Sequence, residues 1–165
     1  MENNDKIIGL IVAKAKNNVI GKNGDIPWRI KGEQKQFKEL TTGNTVIMGR
    51  KTFESMNSRP LPNRTNIVIS RTANYIGENL ITAKSLKEAI DISKGYIYII
   101  GGYSLYKEAI PLVDVMYITE INREIQNGDV FFPNFDENDF TKEEIDSTED
   151  YTRFVYTKKK RDKIS

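Results

Sequence analysis

Five short β-rich apolar runs set the frame of this chain: Ile7 to Ala13, Thr45 to Met48, Asn66 to Ser70, Tyr96 to Ile100 and Val115 to Ile121. Each is bounded by Gly, Pro, Asn or a charged segment, which marks it as a strand. Runs apolar on both faces belong in a covered sheet, and such a sheet is mostly parallel. Between them, Glu33 to Leu40, Lys51 to Met56, Leu86 to Ile92 and Tyr103 to Ile110 carry helical patterning, the last ending at Pro111. Ser85 followed by Glu88 three residues later forms a capping box that starts one helix at Leu86. Alternating strands and helices describe an α/β domain with right-handed crossovers. The last third departs from this: Phe140 to Ile145 and Tyr151 to Lys158, joined by Asp146 to Asp150, read as a hairpin closing the sheet edge antiparallel.

At 165 residues the chain fits one domain with a substantial core. The apolar run Ile7 to Ala13 is far shorter than the ~20 residues of a membrane span, so no membrane partner is expected. A net charge of +2 argues against a surface dedicated to nucleic acid. The basic run Lys158-Lys159-Lys160-Arg161 reads as a solvated end. The chain has no Cys, which excludes a disulfide framework, a thiolate nucleophile and Cys-based metal sites, and fits a reducing compartment such as the cytoplasm. It also has no His, which excludes Ser-His triads and zincin motifs; no metal site is expected. Proton chemistry near neutral pH then rests on a carboxylate, Lys, Tyr or water, and a cofactor is the natural carrier of the difficult step.

Three stretches carry candidate chemistry. Val19 to Trp28 is a turn-rich loop ending in the only Trp, which serves equally well as a core plug. Just beyond it Glu33 and Phe37, four apart, put a carboxylate and an aromatic ring on one helix face, and a carboxylate there turns to solvent or meets a hydrogen-bond donor. In Val46 to Ser55 an apolar strand runs into Gly49, then Arg50, Lys51 and Thr52 open a helix, an arrangement suited to anionic phosphates but without Walker spacing. Ser70-Arg71 follows another strand, and parallel pairing of the two strands would bring it into the same cationic cluster. In Ile99 to Tyr106 the pair Gly101-Gly102 sits between strand and helix, where it allows close backbone approach or a tight turn.

In this order and at these separations the segments resemble dihydrofolate reductase from about Ile7 to about Lys158. The resemblance rests on Val19-Ile20-Gly21, Ile26-Pro27-Trp28, Glu33 to Lys38, Ile47 to Ser55, Arg59-Pro60-Leu61-Pro62-Asn63-Arg64, Ile100-Gly101-Gly102 and Gly128 to Pro133. It implies a bacterial-type enzyme that reduces 7,8-dihydrofolate with NADPH. The implied fold is α/β, an eight-stranded, mostly parallel central sheet with a C-terminal antiparallel hairpin and about four flanking helices. It further implies a single domain over 1–165, with an adenosine-binding part at about 44–112 and polar tails at about 1–6 and 159–165, acting as a cytoplasmic monomer.

The resemblance assigns roles by position. Glu33 would orient the pterin, Thr119 would support that carboxylate and an ordered water, and Trp28 and Ile26 would complete the catalytic group; the loop Asn17 to Trp28 would close over the nicotinamide, with Ile26 near the ring. Substrate contacts would come from Ile11, Val12, Glu33, Gln34, Phe37, Met56, Leu61, Ile100, Tyr106 and Thr119, with Arg64 clamping the tail α-carboxylate of dihydrofolate or an antifolate. The cofactor would meet Ala13, Ile20, Gly21, Gly49, Arg50, Lys51, Thr52, Ser70, Arg71, Ile100, Gly101, Gly102, Tyr103, Ser104, Leu105 and Tyr106, with a cis peptide between the two glycines. Cations near the adenosine ribose would favour NADPH over NADH. Asp129 would lie in a second loop touching the first.

Several positions depart from the family pattern. Gln34 stands where an apolar residue is usual, Lys31-Gly32 replaces a Pro-containing helix entry, Phe53 replaces a common Trp, and Ser58 is an apparent insertion. Gly32-Glu33-Gln34 is similar to bacterial reductases associated with weak antifolate inhibition, so reduced trimethoprim sensitivity is expected. A same-fold reductase acting on a ribosylated pyrimidine in riboflavin synthesis and a non-catalytic pterin- or nucleotide-binding module are the alternatives.

Overall fold

A computed structural model describes residues 6–22, 28, 32 and 34–159. The strands are β1 (Lys6–Ala15), β2 (Val19–Gly21), β3 (Thr45–Gly49), β4 (Thr65–Ile69), β5 (Leu80–Ala83), β6 (Gly95–Ile99), β7 (Val115–Ile121), β8 (Val130–Phe131), β9 (Phe140–Ser147) and β10 (Tyr151–Lys158). The helices are α1 (Lys35–Thr41), α2 (Arg50–Ser55), α3 (Leu86–Asp91) and α4 (Tyr103–Ala109). An eight-stranded sheet runs β5-β4-β3-β6-β1-β7-β10-β9, and β2 and β8 form a separate two-stranded ladder. From β5 to β7 every pairing is parallel, and the terminal hairpin adds β10 and β9 antiparallel, as expected from the sequence.

Strand alternation divides the core. Val46, Met48 and Tyr98 pack with Phe53 of α2 and with Phe37 and Leu40 of α1 on one face. On the other, Ile47, Ile97 and Ile99 pack with Leu86 and Ala89 of α3 and with Leu105 and Ala109 of α4. Both faces of the parallel strands are therefore covered, which is why their sequences read as continuous apolar runs. Gly9 sits where a Cβ would come within 2.9 Å of the Tyr98 ring, so the absent side chain lets that ring lie flat across β1.

The Ser85 hydroxyl accepts from the Glu88 N–H at 3.0 Å, and Glu88 returns a carboxylate oxygen to the Lys84 N–H. The capping box thus starts α3 at Leu86, one residue before Ser85 supplying the second donor. Most element boundaries shift by one or two residues from the sequence expectation, and three of these shifts bear on the site. Helix α2 starts at Arg50 rather than Lys51, because Gly49 in extended backbone is its N-cap. Helix α1 begins at Lys35, with Gln34 as N-cap. The chain at Ser70 has left β4, and its hydroxyl accepts from the Thr72 and Ala73 N–H groups to turn the backbone. The expected tails fall almost entirely outside the described residues.

Candidate active site

The carboxyl-terminal ends of β1, β3 and β6 open onto one cleft of about 1160 Å³, the position where parallel α/β sheets bind ligands. Its walls include Val12, Ala13, Ile20, Gly21, Gly49, Arg50, Lys51, Thr52, Met56 and the whole segment 100–106. Every one of these belongs to the substrate or cofactor set that the resemblance implies. Ser55, Ile69, Glu108 and Val130 line the cleft as well and carried no signal of their own.

The cleft floor is backbone. Gly49 N–H donates to the Gly101 carbonyl at 2.9 Å and Ile100 N–H to the Ile47 carbonyl at 3.0 Å, extending the β3–β6 ladder past its last paired residues. The Gly101–Gly102 peptide is cis. Gly101 has φ +133°, and a Cβ there would meet the Thr52 hydroxyl at 3.3 Å and the Tyr106 hydroxyl at 3.5 Å, so glycine keeps this floor open. Tyr106 is buried beneath it and donates to the Ile11 carbonyl at 2.9 Å. Burial pushes its phenol above the ordinary range, so it stays neutral and serves as an anchor.

At the mouth, Arg50 and Lys51 open α2. The Arg50 guanidinium pairs with Glu54 at 3.2 Å, and the Tyr75 hydroxyl donates to the same carboxylate oxygen at 2.7 Å. That hydrogen bond, then Arg50, holds the Glu54 carboxyl below its usual range. Gly49 and Ile69 are paired residues of β3 and β4, which places Ser70-Arg71 at the neighbouring strand end. Neither residue is part of the cleft wall proper; Arg71 is exposed and Ser70 is turned into its own loop.

An apolar cluster adjoins the cleft: Ile11 is buried in it with Val46, Met48 and Phe53, and Phe37, Met56, Leu61 and Ile100 pack against that cluster. Arg64 is only 7% exposed. Its Nε donates to the Pro62 carbonyl at 2.8 Å and its Nη1 to the Thr41 hydroxyl at 3.1 Å, and it has no carboxylate partner among the described residues. Burial lowers its pKa, the mark of a cation short of solvation. Thr41 accepts from this guanidinium and in turn donates to the Phe37 carbonyl, a contact that its sequence position did not reveal.

Thr119 is buried on β7, in register with Ala13 of β1 and Arg153 of β10. Arg153 was not singled out in the sequence. It is buried, stacks over the Tyr151 ring and donates from Nη2 to the Gly32 carbonyl at 3.0 Å, tying β10 to the residue that precedes Glu33. Trp28 is buried with Ala15, Val19, Ile121 and Tyr151. Gln34 is exposed. Ile26 and Glu33 lie outside the described residues, as does the rest of residues 23–27 in the loop from Asn17 to Trp28. Its root is held: Lys14 donates to Asn18 at 2.8 Å, Phe132 N–H to the Asn18 carbonyl at 2.8 Å, and Asp129 N–H to the Gly21 carbonyl at 3.1 Å. The segment bearing Asp129 therefore runs directly against the loop root.

The described residues hold no cluster of acidic side chains able to bind a metal ion, and no helix among them is long and apolar enough to cross a membrane. A family model described as dihydrofolate reductase matches residues 7–161. Among similar proteins, the Bacillus subtilis dihydrofolate reductase is 39% identical over 163 residues, covering 93% of this chain and 95% of its own. The Haemophilus influenzae dihydrofolate reductase is 42% identical over 149 residues, covering 88% and 91%. A solved structure of Enterococcus faecalis dihydrofolate reductase complexed with NADP(H) and RAB-propyl aligns with TM-score 0.82 at 35% identity, covering 93% of this chain and 97% of that one.

Proposed function

The chain belongs to the dihydrofolate reductase family and catalyses NADPH-dependent reduction of 7,8-dihydrofolate to 5,6,7,8-tetrahydrofolate, and from that premise we propose how its own residues divide the work. The observation that carries this assignment is the joining of Gly49 to Gly101 across the ends of β3 and β6, with Arg50, Lys51 and Thr52 beside it. It is a side-chain-free floor with cations at its mouth, and it fits the pyrophosphate and phosphates of a dinucleotide. NADPH, when bound, supplies the hydride that reaches C6 of the pterin.

The remaining roles belong to the chain. Glu33 accepts hydrogen bonds from the pterin amino and ring N–H groups and so fixes which face of the ring is presented. Thr119, held between Ala13 and Arg153 in the sheet, supports that carboxylate and the water that delivers the N5 proton. Ile11, Phe37, Met56 and Leu61 hold the pterin and aminobenzoyl rings. Arg64 is a buried cation already oriented by Thr41 and Pro62, and the α-carboxylate of the glutamate tail supplies its missing anion. The loop rooted at Asn18 and Gly21 closes over the nicotinamide side and excludes water, and Ile26 and Trp28, which belong to that loop, serve this closure.

Ser70 and Arg71 extend the cofactor site toward the adenosine, within a part spanning about 44–112 of a single domain. The enzyme works as a cytoplasmic monomer on small molecules alone, which sedimentation of a single species near 18.9 kDa checks. Exposed Gln34 behind Gly32 weakens antifolate contacts, so trimethoprim inhibits poorly; nanomolar inhibition of the purified enzyme would overturn this. The division of the cleft is tested by calorimetric titration of two variants. Arg50→Leu is expected to weaken NADPH binding and spare dihydrofolate, and Arg64→Leu to do the reverse; the same loss for both ligands in both variants would contradict it.

A further inference from the structure

Glu54 sits on α2 one turn after Arg50, and its carboxylate contacts the Arg50 guanidinium at 3.2 and 3.4 Å. An Arg four residues ahead of a Glu on a helix is the less favourable order, and a pair as exposed as this one contributes little by itself. What fixes it is Tyr75, whose hydroxyl donates to Glu54 Oε2 at 2.7 Å. Tyr75 is in turn seated edge-on against the fully buried Phe53, with ring centroids 4.9 Å apart. A carboxylate is therefore pinned against the cation that lines the cofactor cleft.

We propose that Glu54, pinned by the Tyr75 hydroxyl, is a specificity-determining residue that restrains Arg50 and so moderates the enzyme's preference for NADPH over NADH. The inference rests on the reading that Arg50 is one of the cations that hold the cofactor's 2′-phosphate beside the adenosine ribose. An incoming 2′-phosphate must share or displace Glu54 at the guanidinium and lies near a like charge, whereas a free ribose hydroxyl meets no such cost. Dinucleotide sites that take NADH place an acid near this hydroxyl, and Glu54 brings one to the edge of a site otherwise built from cations. Glu54 itself stands beside the cleft wall, whereas Glu108 is the carboxylate among the described cleft-lining residues, and the ion pair to Arg50 comes from Glu54.

The test titrates the purified full-length enzyme with NADPH and with NADH and measures kcat and KM for each at saturating dihydrofolate. Glu54→Gln is expected to tighten NADPH about fivefold, through KM rather than kcat, while NADH changes less than about twofold. Tyr75→Phe, which keeps the ring on Phe53, is expected to give about half that gain. In an Arg50→Leu background the effect of Glu54→Gln disappears. An unchanged NADPH-to-NADH ratio in Glu54→Gln, with Arg50→Leu still weakening NADPH, overturns the proposal and leaves the phosphate assignment standing. An equal gain from Glu108→Gln also overturns it, because cleft charge rather than restraint of Arg50 then sets the ratio. If Arg50→Leu binds NADPH as the unaltered enzyme does, the phosphate assignment fails and takes the proposal with it.

Discussion

The N–H of Gly49 and the carbonyl of Gly101 are hydrogen-bonded at 2.9 Å, which ties the end of β3, where the cations of α2 begin, to the glycine pair that follows β6. The two glycine segments, 52 residues apart in the chain, become a single floor. A side chain on that floor should be felt by both stability and cofactor. Gly101→Ala places a Cβ 3.3 Å from the Thr52 hydroxyl in a backbone conformation unfavourable to L-residues. A loss of about 1–3 kcal/mol in urea unfolding is expected, together with weaker NADPH binding in calorimetry.

Arg64 gives a prediction that separates the two halves of the substrate. The guanidinium is oriented by Thr41 and Pro62, and on the proposed assignment it meets the glutamate tail and not the pterin. Arg64→Leu should raise KM for dihydrofolate roughly 10- to 100-fold, the magnitude of a charge-assisted hydrogen-bonded pair. Turnover of a dihydropteridine lacking the glutamate tail should be nearly unaffected in steady-state assays.

At the loop root, Gly128 approaches Val19 so closely that a Cβ would fall 2.6 Å from Cγ2 and nearer still to Cγ1. Gly128→Ala must push β8 away from β2 and loosen the Asp129–Gly21 contact. The expected result is about 1–3 kcal/mol of lost stability and a slower hydride-transfer phase in stopped-flow traces. Val19→Ala in the same chain should restore most of both, since it removes the opposing methyls.

Alkaline pH should destabilise the fold through its buried phenols. Burial pushes the Tyr98 hydroxyl up to about 12, and Tyr106 is raised by the same cause. In the unfolded chain both ionise near pH 10, so their contribution to stability is fully present below about 10 and is lost as pH rises toward 12. Thermal midpoints should therefore fall steeply over that window, and Tyr98→Phe should flatten the fall. A slope equal to that of the unaltered protein would contradict the assignment.

The sequence showed what periodicity and fixed local chemistry can encode. The parallel strands were visible because both faces are buried, and the start of α3 was visible because Ser85 and Glu88 act on neighbouring backbone. Strand β5 was missed, since Leu80–Ala83 is four residues with one of them exposed and alternates too briefly to register. The β2–β8 ladder escaped for a similar reason, being two paired positions set by the Gly128–Val19 approach. Gly49 and Gly101 line the cleft at positions that the family resemblance names, whereas Ser70 and Arg71, named by the same resemblance, lie off its wall. Long-range partners were not: Thr41 meets Arg64 across 23 residues, Tyr75 meets Glu54 across 21, and Arg153 meets Gly32 across 121. Nothing local distinguishes these side chains from ordinary surface or strand residues until the fold brings them together.

The account turns on Glu33 orienting dihydrofolate for reduction by NADPH in this cleft. Loss of reduced-nicotinamide absorbance on mixing the enzyme with NADPH and dihydrofolate, beside Glu33→Gln and an NADH control, tests it directly. Dihydrofolate-dependent oxidation that prefers NADPH and falls by about 100-fold or more in Glu33→Gln is the expected result. Oxidation at an undiminished rate in Glu33→Gln, or none that depends on dihydrofolate in the folded protein, would contradict it.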